Sequence, residues 1–524
     1  MNFIVESRIK ALKFASLLRL ITAFTLLYSI YGKLWRKKPK YKEIPSPKGA
    51  YPYIGKIPSR QISKWHEEYG DLMKLKMGAQ DWVMVGSPSI AHKIFILNGS
   101  KSSIRAESAI TKHYSLNKRG VLFSNPGKHW NEARAASPKK VDQFTYLIEE
   151  QATYMIDTLL ESSKKNGPIF PAKNLHLFSL NIICQIAFSK KFKSVDDPEF
   201  LDISDLVETM IKLGGPDRNL PAFFPALKIF KFLSKSENQL VDLVRNRRDP
   251  TLLELRRHAL QSDTPNIVKS LEEDGTPFNI EDILVILSDL IVAGTDTISV
   301  TLRWMFAVLC HYPDVQEKAQ KELDNFMELN NRIPTFSDRN ELPYVISVIK
   351  ESMRYKPTTP YGAVHSASKD IIVDDYLIPA GTSLISSMER MHENPEVYED
   401  PKTFNPDRYL SNTKTMFASA NGNIKERDHY NFGWGRRICP GMYLAEVEIF
   451  SSFVRGFLKF NVKPALNENG KEVYPDIVSS VDAGSVLHPE EYKVRFVERS
   501  EYKTESQKID KGRNENNKSD LFNM

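Results

Sequence analysis

Cysteine is scarce. Cys184, Cys310 and Cys439 are the three in 524 residues. They are too few and too far apart for a disulfide framework, and their odd number suits a reducing compartment. A chain this long buries enough apolar surface to fold without such staples. Apolar residues make up 41% and charged residues 26%, which excludes a collagen, a mostly disordered chain and a polytopic membrane protein. Excess basic charge is missing from most of the chain. The net charge is +7, but residues 1–42 alone carry +9 and the remaining 482 sum to −2. The body is therefore not basic, and a nucleic-acid partner is not expected.

The basic segment surrounds an apolar run, Phe14–Tyr31, interrupted by Arg19. As a helix it is roughly 27 Å long, near the thickness of a bilayer core. Lys33, Arg36, Lys37, Lys38, Lys40 and Lys42 follow it and outweigh Arg8, Lys10 and Lys13. By the positive-inside rule the rest of the chain stays cytosolic. The expectation is a membrane anchor over residues 1–43, with a cleaved signal peptide or an interfacial helix as the alternatives. Pro45, Pro47 and Pro52 then stiffen a linker over 44–58. The polar stretch 498–524 is expected to be a disordered tail.

Between them, helical periodicity dominates, as in Phe144–Glu161, Leu175–Ala187 and Asp314–Leu329. Alternation around Met73–Val85 predicts a hairpin, and short strands are predicted near Ile371–Ile378, Ser383–Ser387 and Glu491–Val497. The fold class is mainly α with small β-sheets. One helix, Ile280–Cys310, is apolar on nearly every face, with Asn279 as cap and Asp282 at N3. Asp289, Asp296 and Arg303 argue that it is buried in protein rather than lipid. Its middle holds Ala293-Gly294-Thr295-Asp296-Thr297. A mid-helix glycine costs about 1 kcal/mol relative to alanine and a buried carboxylate costs more unless hydrogen-bonded. The bland reading is a packing notch beside a satisfied aspartate.

The strongest signal is Asn431-Phe432-Gly433-Trp434-Gly435-Arg436-Arg437-Ile438-Cys439-Pro440-Gly441. No second cysteine is near enough for a zinc knuckle or a redox pair. A lone cysteine is most often a small core hydrophobe. Here flanking glycines let backbone N–H groups approach the sulfur, which favours a bound thiolate.

This segment resembles the haem-binding loop of the cytochrome P450 family, FxxGxRxCxG, at Phe432, Gly435, Arg437, Cys439 and Gly441. Four further family motifs are matched in the same chain order: WxxxR at Trp130 and Arg134, (A/G)Gx(D/E)T at Ala293, Gly294, Asp296 and Thr297, ExxR at Glu351 and Arg354, and a segment ending in Arg408. The resemblance covers roughly residues 44–497 and implies a single catalytic domain over 59–497, folded around haem b (iron protoporphyrin IX). It implies Cys439 as the iron ligand, with Phe432 packed beside its sulfur. Trp130, Arg134, Arg437 and His365 would bind the haem propionates; His365 stands where the family more often has arginine. Glu351, Arg354 and Arg408 would form a buried ion-pair network. Thr297 would hydrogen-bond dioxygen, Asp296 would relay protons, and Gly294 would leave room for the oxygen. Ile298 stands where Ser or Thr is common, and Pro138 is expected to end the helix of Arg134 early.

The implied activity is O2-dependent hydroxylation of a lipophilic small molecule (a sterol, fatty acid or aromatic xenobiotic). Electrons would come from an NADPH-cytochrome reductase, with cytochrome b5 as a second donor, docking near Lys139, Lys140 and Arg436. The implied place is the endoplasmic reticulum membrane. By analogy the substrate pocket is drawn from His113–Phe123, Leu290, Ile291, Ala293, Tyr361–Val364 and Ala483–Val486. The rivals are a haem-thiolate isomerase or dehydratase acting on peroxides, and a membrane-anchored haem sensor or electron carrier.

Overall fold

The structure is a computed structural model, described for residues 41–47, 59–135, 141–213, 223, 235–273, 275–482 and 486–500. Nearly all of the expected anchor, most of the linker, Pro138, Lys139, Lys140 and nearly all of the expected tail lie outside the described residues. Backbone contacts divide the chain into a small unit, 1–44 with 372–377, and a large one, 45–371 with 378–524. Within the small unit Lys42 pairs with Asp375, Nζ to Oδ2 at 2.6 Å. Everything below concerns the large unit.

The alternation before Gly78 forms the expected hairpin. Strand β1 (Leu72–Met77) pairs antiparallel with β2 (Gln80–Val85), Leu72 opposite Val85. Apolar side chains alternate inward, which fixes the register, because a one-residue slip would turn the set to solvent. Short helix α1 (Lys128–Ala135) follows, then α2 (Thr145–Asn166) and α3 (Ala172–Phe188).

Helix α4 (Ile280–Cys310) is the axis of the fold. It starts at a capping box in which Asn279 accepts from the Asp282 N–H while Asp282 accepts from the Asn279 N–H, satisfying two orphan donors. It ends before Pro313, which begins the next helix, α5 (Pro313–Asn330). Val285, Leu287, Val300 and Leu302 are fully buried. Burying each such branched side chain contributes roughly 1.5–3 kcal/mol. Leu302→Ala would leave a cavity and cost about 2–5 kcal/mol. The apolar faces are thus accounted for by protein neighbours: Ile183 of α3 presses against Gly294, and Val486 packs on Val300 and Trp304.

Helix α6 (Pro343–Tyr355) and a long C-terminal helix, α7 (Met442–Lys459), complete the core. Strands β3 (His365–Ser366) and β4 (Ser383–Ser386) join the first hairpin in a four-stranded sheet of order β1-β2-β4-β3. After α7 come β5 (Phe460–Leu466), β6 (Ser480–Asp482), β7 (Leu487–Pro489) and β8 (Val494–Glu498). β8 pairs antiparallel with β5, and β7 with β6.

Candidate active site

The loop before α7 is shaped by backbone needs. Gly433 and Gly435 have φ of +76° and +53°, a region that favours glycine. A Cβ on Gly435 would also collide with the Phe95 carbonyl. The turn is closed by the Cys439 N–H donating to the Phe432 carbonyl at 2.9 Å. Cys439 is half-buried and lines the floor of a cavity of about 1080 Å³ together with Phe432, Pro440 and Gly441. Burial pushes its thiol up, while the Gly441 N–H and the Arg134 charge pull the other way without cancelling it.

Three guanidiniums line the same cavity: Arg105, Arg134 and Arg437. Among the described residues none pairs with a carboxylate. Arg105 donates to the carbonyls of Leu122, Ala363 and Val364 at 3.0, 2.9 and 2.6 Å. Arg437 donates to Ser103, Val121 and Ser124, and Arg134 to Ile438. Burial, then the charges of Arg105 and Arg134, push Arg437 down to about 9, and burial pushes Arg105 down to about 10. A buried cation cluster without anions is costly. The wall therefore fits a group bearing two carboxylates. Arg105 was not foreseen; its only sequence signal is being an arginine in an otherwise weakly basic loop.

Trp130 sits between two of these cations, 4.7 Å from the Arg437 guanidinium and 5.4 Å from that of Arg134. Its indole N–H is taken by the Val121 carbonyl at 3.1 Å. It thus holds the arginines by cation–π contact. His365 does not line the cavity. Its Nδ1 lies 2.8 Å from the Ser102 carbonyl and its ring packs on Phe95. Burial and then the Arg105 charge hold it well below the usual imidazole range, hence neutral.

Helix α4 lines the same cavity with Leu290, Ala293, Gly294, Thr297, Ile298 and Thr301, one helical stripe. Thr297 Oγ1 donates to the Ala293 carbonyl at 2.7 Å. Gly294 lines the cavity, and a Cβ on it would meet Ile183 Cδ1 at 2.5 Å, so the neighbouring helix occupies the space a side chain here would take. Asp296 does not line the cavity; it turns toward His488, Oδ2 to Nε2 at 3.2 Å. Burial pushes its carboxyl up, but the His488 hydrogen bond and the charges of His488, His176 and Arg303 outweigh this and hold it low.

Glu351, Arg354 and Arg408 are brought together behind the loop. Arg354 donates to both Glu351 oxygens at 2.7 and 2.8 Å, and Arg408 Nε to Oε1 at 3.3 Å. Arg354 also ties the His392 and Pro401 carbonyls.

Of the expected pocket, Val121, Leu122, Phe123, Leu290, Ala293 and Tyr361–Val364 do line the cavity. His113, Ile291 and Val486 do not. His113 is held by Glu237 at 2.7 Å, Ile291 is buried elsewhere, and Val486 faces Trp304. Residues 483–485 lie outside the described residues. Ser108–Thr111, Leu240 and Thr358–Pro360 line it unforeseen, as do Asp289 and Glu448. Glu448 is 1% exposed, its Oε2 has no hydrogen-bond partner, and burial alone holds it well above the carboxylate range.

The profile of the cytochrome P450 family matches residues 46–496. A cytochrome P450 monooxygenase of Coprinopsis cinerea is 28% identical over 504 residues, covering 90% of this chain and 92% of that protein. The steroid 17-alpha-hydroxylase/17,20 lyase of Ovis aries is 27% identical, covering 85% and 91%. A zebra fish cytochrome P450 solved with progesterone superposes with a TM-score of 0.69 at 22% identity, over 84% of this chain and all of that one. The superposition carries the fold, and the profile, spanning the cysteine loop and the cation wall alike, carries the membership: the chain belongs to the cytochrome P450 family of haem-binding monooxygenases.

Proposed function

We propose that this chain hydroxylates a lipophilic small molecule using O2 and electrons from an NADPH-dependent reductase. The observation that supports it most is the pairing of one half-buried cysteine with three carboxylate-free guanidiniums in one cavity. Those residues fit haem b, whose two propionates would answer Arg105, Arg134 and Arg437 with charge-assisted bonds. Cys439 would hold the iron as a thiolate, and Phe432 and the Phe432 carbonyl would fix the loop around it. When bound, haem supplies the oxygen and electron chemistry. The chain does the rest. Trp130 holds two of the arginines in place, and His365 stands behind them. Glu351 with Arg354 and Arg408 holds the approach to the cysteine loop. Thr297 offers a hydroxyl to the cavity, and Asp296 supplies protons from behind the helix.

The remaining wall is largely apolar, from Ile110, Val121, Phe123, Leu290, Ile298 and Ile385. That supports a lipophile. A membrane anchor at residues 1–43 would bring such substrates close, at the endoplasmic reticulum, with cytochrome b5 as an accessory donor. Arg436 is exposed on the cysteine side, as an acidic reductase face would need.

The test is twofold. The reduced protein with carbon monoxide should give the red-shifted band of a thiolate-ligated haem, and Cys439→Ser should abolish it. Product should form only with NADPH and reductase present. A band unchanged in Cys439→Ser would overturn the ligand, and reductase-independent isomerisation of a peroxide would overturn the reaction.

A further inference from the structure

Asp296 and Thr297 are adjacent in sequence and face different ways. Thr297 lines the cavity, whereas Asp296 is directed at His488 on β7, 192 residues along the chain. His488 Nδ1 in turn lies 2.9 Å from Arg303 Nη1. Arg303 makes two further contacts: Nη2 donates to the Pro489 carbonyl at 3.3 Å and the guanidinium stands 5.2 Å from the Phe170 ring centroid. A guanidinium only donates. His488 Nδ1 must therefore accept, and the neutral ring carries its proton on Nε2, aimed at Asp296 Oδ2. The His488 side chain is 21% exposed against 11% for Asp296, so the more open end of the chain of contacts is the imidazole.

We propose that His488 is the outer station of a proton path that recharges Asp296 from solvent, with Arg303 setting its tautomer. The proposal rests on the reading of Asp296 as proton donor given above. The step is a proton transfer with no electron moved. Arg303 first yields Nδ1, which takes a proton from hydronium at the open end and makes the ring cationic. The imidazolium then passes its Nε2 proton to Asp296 Oδ2, and a ring flip with the return of Arg303 restores the starting tautomer. One proton passes from solvent to carboxyl, which then turns toward Thr297 to deliver it. The other charged groups around this chain are Arg303 on α4 itself, His176 on α3, Glu208 on the helix Pro198–Leu213, and Glu491 and Tyr492 after β7. His176 Nε2 is buried with no hydrogen-bond partner, so it has no contact with solvent from which to take a proton. His488 is a positioning residue here, since it acts through Asp296.

The experiment uses the full-length, haem-loaded protein with its reductase. His488→Gln keeps a donor for Asp296 and an acceptor for Arg303 but cannot titrate. Haem content and substrate affinity should match the parent. Product formed per NADPH should fall by about tenfold or more, within the range that proton-transfer groups contribute. The pH inflection in that ratio should vanish. A second readout is independent of turnover: the C–O stretch of the carbon monoxide adduct should shift with pH in the parent and not in His488→Gln. Should His488→Gln fail to load haem, Arg303→Met decides: without the donor that sets the tautomer, product formed per NADPH should fall with haem content kept, and an unchanged ratio overturns the proposal. His488→Gln indistinguishable from the parent while Asp296→Asn is impaired would overturn the His488 path alone. Both variants matching the parent would overturn the role of Asp296 as well.

Discussion

The Val121 backbone N–H donates to Asp289 Oδ2 at 2.7 Å, joining the loop that lines the cavity to helix α4. Leu122 N–H reaches the same oxygen at 3.0 Å, and a Cβ on Gly120, at φ +74°, would meet it at 2.6 Å. Burial pushes the Asp289 carboxyl up to about 6, with the Leu122 and Val121 N–H groups restraining the rise. An acid raised on folding binds its proton more tightly in the native state. Its contribution is therefore present below the unfolded value near 4 and is lost as pH rises through about 6. Denaturant unfolding of the parent and Asp289→Asn at pH 4, 5, 6 and 7 should show the difference between them changing by about 3 kcal/mol across that window, the parent losing ground as pH rises. A constant difference would contradict it.

Glu351 and Arg354 are both buried, at 0% and 1% side-chain exposure. Glu351→Gln leaves two guanidiniums, those of Arg354 and Arg408, without their anion. The expected loss is about 3–5 kcal/mol, read as a lower melting temperature and poor haem incorporation. Replacing Glu351 and Arg354 together by apolar residues should recover part of that loss, because the orphaned charge at Arg354 is removed as well.

Arg105→Met removes one of the unpaired cavity cations. Loss of a charge-assisted contact to a propionate, worth roughly 1.5–3 kcal/mol, should weaken haem retention by about 10–100-fold. Competitive transfer of haem to apomyoglobin measures this directly. Retention equal to the parent would remove Arg105 from the proposed propionate set.

Gly435→Ala places a methyl group against the Phe95 carbonyl at a φ of +53°. Haem content in that protein should drop sharply while helical circular dichroism is kept, since the strain is local to the loop. Gly433→Ala has the same kind of φ, +76°, with open space around it. It should therefore cost only about 1 kcal/mol.

The main elements were legible because their signals are local. Helix α4 runs over Ile280–Cys310 with the capping box at Asn279 and Asp282, as its apolar faces and cap residues require. The hairpin at Met73–Val85 follows from alternation alone. Ends moved by a few residues, as at Thr145–Asn166, because polar side chains continue a helix that packs on one side only. Pocket residues were harder: Ile291 and Leu290 are neighbours, yet only Leu290 faces the cavity, a matter of helix rotation set by packing.

The sequence by itself determined the family and the cysteine, because a glycine-shaped loop and a thiol are specified at fixed offsets within eleven residues. It likewise determined the buried helix. Which charges meet was decided only by the tertiary structure. Arg105 beside Arg437, Ile183 in the gap of Gly294, and His488 on Asp296 join residues 111 to 332 positions apart. Such pairings leave no periodic trace, since side-chain chemistry at one position says nothing of what the fold will bring against it.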